Sequence, residues 1–202
     1  MSDRLEHALR ALGTVTVPAE AAGPPQPDGA DVTYLIEPTA VGDLLLATRR
    51  DGVLLACTYA GSTALGGASG VLRRLAGTVS PRVLRGVGPG LDEVRRQLEQ
   101  YLAGRRHTLD LPFEPVLAAP FQREVLTGLA ASVGYGDRTS YGELARRIGR
   151  PGAARAVGTA LGANPLCLVL PCHRVTGAGG RLTGYAGGLE AKQWLLDLES
   201  SG

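Results

Sequence analysis

The sequence predicts an α/β fold with two domains: a small N-terminal α/β domain with antiparallel hairpins, and a mainly helical C-terminal domain with a winged-helix-like helix-turn-helix. Two observations support this prediction. Short apolar runs alternate with turn residues between positions 32 and 59, which is typical of hairpin strands. From Phe121 onwards, apolar residues recur at helical spacing instead. The proline-rich stretch LPFEPVLAAP, residues 111–120, lies at this change of pattern, so we predict a linker there.

The first 31 residues are predicted to form an extension outside both domains. Within it, DRLEHALRAL, residues 3–12, places four apolar side chains at helical spacing. The Pro/Gly-rich stretch PAEAAGPPQPDG follows directly. We therefore expect residues 1–31 to be a short helix on a flexible tether, and the sequence indicates no function for it.

The N-terminal domain is predicted to span residues 32–112 and to begin with two hairpins. Their turns are indicated by Val41-Gly42-Asp43 and by Arg50-Asp51-Gly52, and the Asp-Gly pair is the stronger signal. Residues 60–70, AGSTALGGASG, are expected to form a loose loop of small residues. The following stretch GLDEVRRQLEQYLAG has one apolar helical face and ends on a glycine, so it predicts a helix.

The C-terminal domain is predicted to span residues 116–202 and to contain four helices. These correspond to FQREVLTGLAASV, SYGELARRIG, AARAVGTALG and LEAKQWLLDLES. Ser140 and Glu143 have the spacing of a capping box, so the second helix is expected to begin at Tyr141 and to end near Gly149. The turn RPG separates it from the third helix, expected from Ala153. Two short helices across such a turn predict a helix-turn-helix, which is common in DNA-binding proteins but weakly specific alone.

The helix-turn-helix region is strongly basic. Seven arginines and one acidic residue lie between Arg138 and Arg181, a local net charge of +6 that would attract a polyanion. In the helix AARAVGTALG, only Arg155 and Thr159 could read base edges. Its small residues would instead let the helix approach DNA closely in the minor groove, with Arg155 reaching into the base stack. These small residues are Ala153, Ala154, Gly158 and Ala160. The alternative is that they pack this helix into the core.

The stretch LVLPCHRV predicts a chemically active end to a buried strand. A cysteine is a nucleophile only as the thiolate, so Cys172 needs a nearby base, and His173 is the candidate. Residues adjacent in a strand point to opposite faces, but Pro171 is consistent with a break in regular geometry. Glu199 is a candidate for the carboxylate that orients the histidine. The alternative is a structural, buried Cys-His pair.

Composition excludes several classes of protein. The three cysteines are too few and wrongly spaced for a disulfide framework or a zinc site, so we predict no metal and no cofactor. No stretch approaches the roughly 20 apolar residues that span a bilayer, and the N-terminus is not ordered like a signal peptide. A cytoplasmic protein without a membrane partner is therefore expected.

Four linked motifs together resemble one protein family. PCHRV, preceded by AARAVGTALGANP, with SYGELA upstream and GYAGGLEAKQWLL downstream, is similar to the O6-alkylguanine-DNA alkyltransferases, or methylated-DNA–protein-cysteine methyltransferases. The resemblance covers residues 121–199, and a weaker similarity reaches back through VGDLLLATRRDGVLLACTY. It implies direct-reversal DNA repair, in which O6-alkylguanine, and also O4-alkylthymine, is flipped out of duplex DNA. The alkyl group is then transferred irreversibly to a cysteine of the protein, without cofactor, in a single turnover.

The resemblance also implies roles for individual residues. Cys172 would be the acceptor, His173 the base that deprotonates it through a water, and Glu199 the partner of that histidine. Asn164 would brace the turn between the recognition helix and the active-site strand. Further positions form the substrate pocket and the DNA contact. Tyr141 would crowd the stacked nucleotide and donate a hydrogen bond to the flipped guanine, and Arg155 would fill the gap left in the duplex. The main-chain groups of Cys172 and Val175 would accept hydrogen bonds from the guanine amine. Tyr185 and the amide of Ala186 would close the far wall of the pocket. We expect the protein to be a monomer in the absence of DNA. We expect it to bind DNA through the minor groove.

Departures from the family pattern leave some questions open. Ala186 stands where many relatives carry serine, and Cys167 stands where proline or alanine is expected. Cys167 is either a small apolar residue or a second acceptor, and the first is favoured. His7, His107 and Cys57 do not reproduce the zinc ligands of some relatives. The main alternative function is non-catalytic recognition of alkyl lesions that recruits other repair factors. A transcriptional regulator and an unrelated cysteine hydrolase fit less well.

Overall fold

The computed structural model describes residues 29–201, so the helix and tether predicted in residues 1–28 lie outside the described residues. The N-terminal part is built on a four-stranded sheet in the order β3-β2-β1-β4. Its strands are β1 (Val32–Glu37), β2 (Leu44–Arg49), β3 (Leu54–Tyr59) and β4 (Val83–Arg85). The first three strands are antiparallel and form the two predicted hairpins, whereas β4 pairs with β1 in parallel. The hairpin prediction is confirmed, and β4 was not predicted.

Two helices pack against this sheet. Helix α1 spans Gly67–Thr78 and follows a short 3₁₀ turn at Thr63–Leu65, and helix α2 spans Pro89–Leu102. The prediction of a loose loop over residues 60–70 is therefore wrong in its second half. Gly70 lies so close to the carbonyl of Leu65 that a Cβ would be 2.1 Å from its oxygen, so glycine is required for packing there. Gly70, one of the glycines that suggested a loop, instead serves a close contact between α1 and the 3₁₀ turn before it.

The C-terminal part is mainly helical, as predicted. It contains α3 (Pro120–Ser132), β5 (Thr139–Ser140), α4 (Tyr141–Arg147), α5 (Ala154–Gly162), β6 (Val175–Thr176) and α6 (Gly188–Ser200), and β5 pairs with β6 in parallel. The Ser140 side chain accepts from the Glu143 N–H and the Glu143 carboxylate accepts from the Ser140 N–H, so the capping box and the start of α4 are confirmed. Ala153 is the N-cap of α5, and the first helical residue is Ala154.

The apolar stretch before Pro171 is not a strand, which corrects the predicted active-site strand. Leu166–Leu170 forms tight turns, and Leu168 has a φ of 71°, a left-handed conformation that is rare outside glycine. Cys172–Arg174 then forms one 3₁₀ turn. A buried apolar run cannot be distinguished from a strand by its pattern alone, and here tertiary contacts decide its path.

The outer edge of β3 joins the two parts of the molecule. The Cys57 N–H donates to the Pro165 carbonyl at 2.8 Å, and the Cys167 N–H donates to the Cys57 carbonyl at 2.6 Å. At the other end of β3, Leu54 exchanges main-chain hydrogen bonds with Pro112 and Glu114 of the connecting segment. The segment that leads into Cys172 is therefore held against the edge of the N-terminal sheet.

Candidate active site

Cys172 lies at the start of the 3₁₀ turn, almost completely buried at 5% exposure. The side chain of Asn164, just beyond the end of α5, fixes its surroundings. Asn164 Nδ2 donates to the Leu170 carbonyl at 2.8 Å and lies 3.2 Å from Cys172 Sγ, while its Oδ1 accepts from the Leu166 N–H at 2.9 Å. Asn164 therefore braces the turn and at the same time supplies a hydrogen-bond donor to the sulfur.

His173 is completely buried and contacts Glu199, near the end of α6. Its Nε2 lies 2.8 Å from Glu199 Oε1, so the ring proton sits on Nε2, because a carboxylate oxygen can only accept. Its Nδ1 is buried without a hydrogen-bond partner among the described residues. Burial lowers the pKa of His173, and the Glu199 carboxylate opposes this. The result is a neutral imidazole with a free lone pair on Nδ1, which suits a base.

Glu199 is held by several donors. Arg174 reaches both carboxylate oxygens, with its Nε 2.9 Å from Oε2 and its Nη2 3.0 Å from Oε1. The Tyr101 hydroxyl, from α2 of the N-terminal part, also donates to Oε1, and the Gly136 N–H donates to Oε2 at 3.2 Å. Burial raises the pKa of Glu199, but its hydrogen bonds and charged partners outweigh burial and hold the pKa at about 2. The carboxylate is therefore ionised and cannot turn away from His173.

The surroundings of Cys172 favour its thiolate. The pKa of Cys172 is lowered from its usual value, first by a hydrogen bond from Cys167, and further by Asn164 and by the charge of Lys192, while burial opposes these effects. The Cys57 thiol, also buried, has its pKa raised to about 12 by burial. A thiolate is the nucleophilic form of cysteine, and among the three cysteines the surroundings of Cys172 favour it most.

An open cavity of about 730 Å³ lies on the helix-turn-helix face, beside α4 and α5. Four residues predicted to contact DNA, Ala154, Arg155, Gly158 and Thr159, line it together with Tyr141. Arg155 and Thr159 are exposed, so both are available to a ligand. The fifth residue predicted to contact DNA, Ala153, is half-buried at the N-cap of α5 and packs against the core.

The residues predicted to form the pocket walls lie close to Cys172, and they already make hydrogen bonds or packing contacts within the protein. The Val175 carbonyl accepts from Lys192 Nζ at 2.6 Å, which leaves one of its two lone pairs for a substrate. The Tyr185 hydroxyl accepts from the Tyr59 hydroxyl of β3 at 3.2 Å, and its ring lies edge-on to His173 at 6.5 Å. Ala186 is half-buried against the same core. These residues thus form one wall that extends from the catalytic turn to the N-terminal sheet.

Comparisons with known proteins give this geometry a family. Residues 120–201 match the family described as 6-O-methylguanine DNA methyltransferase, DNA binding domain. A methylated-DNA–protein-cysteine methyltransferase of Methanosarcina acetivorans is 48% identical over 109 residues, which are 54% of this chain and 69% of that protein. One from Mycolicibacterium paratuberculosis is 52% identical over 103 residues, 51% of this chain and 61% of that protein. The O6-methylguanine methyltransferase of Mycobacterium tuberculosis, a solved structure, is 37% identical with a TM-score of 0.69, and the match covers 84% of this chain and 93% of that one. The chain belongs to the methylated-DNA–protein-cysteine methyltransferase family.

Further solved structures agree with this assignment. The Mycobacterium tuberculosis OGT in complex with DNA matches with a TM-score of 0.66 at 35% identity, over 84% of this chain and 92% of that one. An archaeal O6-methylguanine-DNA methyltransferase from Pyrococcus kodakaraensis, at 23% identity and a TM-score of 0.60, shares the fold. The match to the curated proteins is confined to about half of this chain, whereas the solved structures match across both parts of the molecule. The family domain that residues 120–201 match is a DNA-binding domain, and one of these solved neighbours is in complex with DNA.

Four site residues of this methyltransferase were not found from the sequence. Lys192 is completely buried and lies 6.0 Å from the centre of the Tyr141 ring, and its only signal was that it is the sole lysine of the chain. The Thr183 hydroxyl lies 2.8 Å from the Tyr141 hydroxyl across the cavity. Arg174 belongs to the PCHRV motif, but its pairing with Glu199 had no signal. Tyr101 is about 100 residues away in sequence from Glu199, so only the fold brings it there.

Two features bear on metals and membranes. Among residues 29–201, no group of three or more His, Cys, Asp or Glu side chains is placed to hold a metal ion. Over the same residues, no helix is both long and apolar enough to cross a membrane. Cys57 holds the segment before Cys172 through main-chain hydrogen bonds, and the His107 ring stacks on the Tyr135 ring.

Proposed function

We propose that this protein repairs O6-alkylguanine in duplex DNA by moving the alkyl group irreversibly onto Cys172. Alkyl transfer from DNA to a protein cysteine is the activity of the family to which the chain belongs. The observation that carries the assignment of Cys172 is the buried arrangement around it: a sulfur beside the Asn164 amide and a neutral histidine held by an ionised carboxylate. The same chemistry would act on O4-alkylthymine, whose alkyl group is also carried on an exocyclic oxygen.

The first step in this mechanism is formation of the Cys172 thiolate. The proton leaves Sγ and reaches Nδ1 of His173 through one water, because Nε2 already carries the proton that points at Glu199. The imidazolium that results is stabilised by the Glu199 carboxylate at 2.8 Å. The thiolate left behind is stabilised by the Asn164 amide. Glu199 therefore acts by orientation and charge, and it does not itself take the proton.

The thiolate then attacks the alkyl carbon in line with the carbon–oxygen bond. One carbon–sulfur bond forms, the carbon–oxygen bond breaks, and the electron pair stays on the guanine oxygen. Tyr141 donates a hydrogen bond to the leaving base and so stabilises the developing negative charge. Main-chain acceptors of Cys172 and Val175 bind the guanine amine, and Tyr185 with the Ala186 amide closes the opposite wall. The product is a thioether that cannot return the alkyl group, so each molecule reacts once.

The buried position of Cys172 requires that the target base leave the duplex. Flipping a base costs a few kcal/mol in lost stacking and pairing. The small residues of α5 let the helix lie deep in the minor groove, where the exposed Arg155 side chain enters the gap and contacts the orphaned base. Tyr141, half-buried at the edge of the same cavity, crowds the stacked position and favours the flipped one. We infer a monomer that acts in the cytoplasm and binds DNA through this face.

The test is the mass of the protein and of its peptides after mixing with a duplex that contains one O6-methylguanine. We expect one added methyl group, located on the peptide that holds Cys172, at a stoichiometry of one per protein molecule. The Cys172→Ser variant serves as the matched control, since it should bind the same duplex and gain no mass. DNA bound without any transfer would instead make the protein a recognition factor for alkyl lesions, and transfer by Cys172→Ser would refute the assigned acceptor.

A further inference from the structure

The Tyr101 hydroxyl comes from the N-terminal part and reaches the catalytic pair, yet the mechanism above gives it no role. Tyr101 lies in the last turn of α2 and is 1% exposed, and its ring packs edge-on against the Tyr135 ring with the centres 6.1 Å apart. Its hydroxyl donates to Glu199 Oε1, and the hydroxyl oxygen lies 3.4 Å from His173 Nε2. A side chain of α2 therefore contacts both members of the His173–Glu199 pair.

One carboxylate oxygen, Oε1 of Glu199, receives three donors. His173 Nε2 lies 2.8 Å from it, Arg174 Nη2 lies 3.0 Å from it, and the Tyr101 hydroxyl is the third donor. A carboxylate oxygen has about two lone-pair sites, so three donors have to share them. The hydrogen bond from His173 is therefore weaker than it would be if the Tyr101 hydroxyl were absent.

The strength of this hydrogen bond decides how readily His173 gains a second proton. A carboxylate that holds the Nε2 proton more strongly stabilises the imidazolium more, so a larger fraction of His173 is protonated at a given pH. A protonated His173 has no lone pair left on Nδ1 and cannot take the proton of Cys172. Burial lowers the pKa of His173 and the Glu199 carboxylate raises it, and Tyr101 limits the second effect.

The other groups that face His173 do not replace Tyr101 in this role. Arg174, from the same 3₁₀ turn, and Lys192, from α6, are cations that lower the pKa of His173 through their charge. Tyr185, which precedes α6, meets the His173 ring edge-on and directs its hydroxyl to Tyr59. Tyr101 is thus a neutral donor that acts on the oxygen to which His173 donates.

Resting on the proposed role of His173 as the base for Cys172, we propose that Tyr101 is a positioning residue for alkyl transfer. Its hydroxyl occupies part of Glu199 Oε1 and thereby keeps His173 neutral and ready to accept the Cys172 proton. Tyr101 keeps its own proton throughout, because burial and the Glu199 charge both raise its pKa. The contact of α2 with the C-terminal part therefore completes the base.

The experiment compares the wild type, Tyr101→Phe and Tyr135→Phe. Tyr101→Phe removes only the hydroxyl and keeps the buried ring. Tyr135→Phe makes the same change in the neighbouring ring, whose buried hydroxyl has no hydrogen-bond partner among the described residues, and it is the matched control. Two quantities are measured against pH on the full chain. One is the NMR chemical shift of the His173 ring, assigned with His173→Gln, and the other is the rate of Cys172 methylation by duplex DNA with one O6-methylguanine.

We expect Tyr101→Phe to raise the midpoint of the His173 titration by about one pH unit, the order of effect of one hydrogen bond to a charged group. The acid-side midpoint of the transfer rate should rise by the same amount, so transfer is about tenfold slower below both midpoints, with a smaller loss above them. Tyr135→Phe should show the wild-type midpoints. In the wild type, the Tyr101 hydroxyl proton should exchange slowly with water and resonate far downfield, because it is bonded to a buried carboxylate.

Several results would overturn the proposal. A purely structural role for Tyr101 would lower the rate by the same factor at every pH without moving either midpoint. Equal shifts in Tyr101→Phe and Tyr135→Phe, or a His173 that stays neutral in both the wild type and Tyr101→Phe down to acid unfolding, would also contradict it. Absence of the Tyr101 hydroxyl resonance from the wild type decides against it even if Tyr101→Phe does not fold. If the wild type transfers no methyl group, the proposed function fails, yet the NMR titration still decides whether Tyr101 acts on His173.

Discussion

At the scale of single residues, Glu199 carries a negative charge that is buried between the two parts of the molecule. Its carboxylate is 3% exposed and accepts hydrogen bonds from Arg174, His173, Tyr101 and the Gly136 main chain. A buried charge of this kind is tolerated because each lone pair has a donor and the Arg174 charge neutralises it. The same contacts orient His173, so stability and chemistry depend on one group.

Replacing Glu199 with glutamine should be strongly destabilising. The amide keeps the shape of the side chain but leaves the buried Arg174 charge unpaired, and we expect a loss of about 3 to 5 kcal/mol in the free energy of unfolding. Urea denaturation of Glu199→Gln measures this loss. The control is Glu99→Gln, which breaks the exposed ion pair with Arg105 and should cost less than about 1 kcal/mol. Similar losses in the two variants would show that the burial of Glu199 adds nothing.

The contribution of Glu199 to the free energy of unfolding should also decrease as the pH falls. Its pKa is about 2 in the folded protein against an ordinary value of 4.5, so folding favours the ionised form. The stabilisation is complete above the unfolded pKa and is lost as the pH falls through the folded one. We expect the difference in free energy of unfolding between wild type and Glu199→Gln to be constant above about pH 5 and to shrink towards pH 2. A difference that does not vary over this range would contradict the assigned pKa.

At the scale of elements, local signals defined the helices well and the catalytic segment poorly. The start of α4 followed from Ser140 and Glu143, because a capping box is a short-range pattern that the local chain satisfies by itself. The path of Leu166–Leu170 did not follow, because it depends on Asn164 and on the edge of β3, which only the folded chain brings together. Helix α1 was missed for a related reason, since Gly70 serves a close contact with Leu65 and not a flexible loop.

The small residues of α5 should matter more for DNA than for folding. A Cβ at Gly158 would lie 3.6 Å from the Tyr141 ring, an ordinary contact, so Gly158→Ala fits and should stabilise the helix by up to about 1 kcal/mol. The added methyl group would nevertheless occupy the face that approaches the minor groove. We expect a higher melting temperature together with a weaker affinity for duplex DNA, measured by fluorescence anisotropy. Gly77→Ala in α1, where no atom lies within 4 Å, is the control and should leave DNA affinity unchanged. An undiminished affinity in Gly158→Ala would place this helix away from the groove.

At the scale of the whole molecule, the N-terminal part acts as the support of the catalytic turn. Tyr101 of α2 reaches Glu199, Tyr59 of β3 reaches Tyr185, and the Cys57 main chain holds the segment before Cys172. The two tyrosine contacts join residues that are 98 and 126 positions apart in the sequence, and Cys57 also contacts a distant part of the chain. A local sequence pattern therefore could not predict these contacts. Sequence motifs led to the predicted reacting residues because Cys172 and His173 are neighbours within one short motif. The supporting residues could be found only from the fold.

This arrangement predicts that the two parts lose structure together when their contact is disturbed. A Cβ at Gly187 would lie 2.3 Å from the Tyr59 ring, and the φ of Gly187 is −90°, so Gly187→Ala is a steric change without backbone strain. Such overpacking costs about 1 to 3 kcal/mol. We expect a lower midpoint of unfolding by Trp194 fluorescence, which reports on α6. We also expect hydrogen-exchange protection in β1 to β3 to fall by the same free energy of unfolding. Gly184→Ala, a nearby position with no atom within 4 Å, should leave both unchanged. Full protection of the strands together with a lowered Trp194 midpoint would mean that the sheet is stable without its contact to the C-terminal part. The C-terminal part would then depend on the sheet, but the sheet would not depend on the C-terminal part.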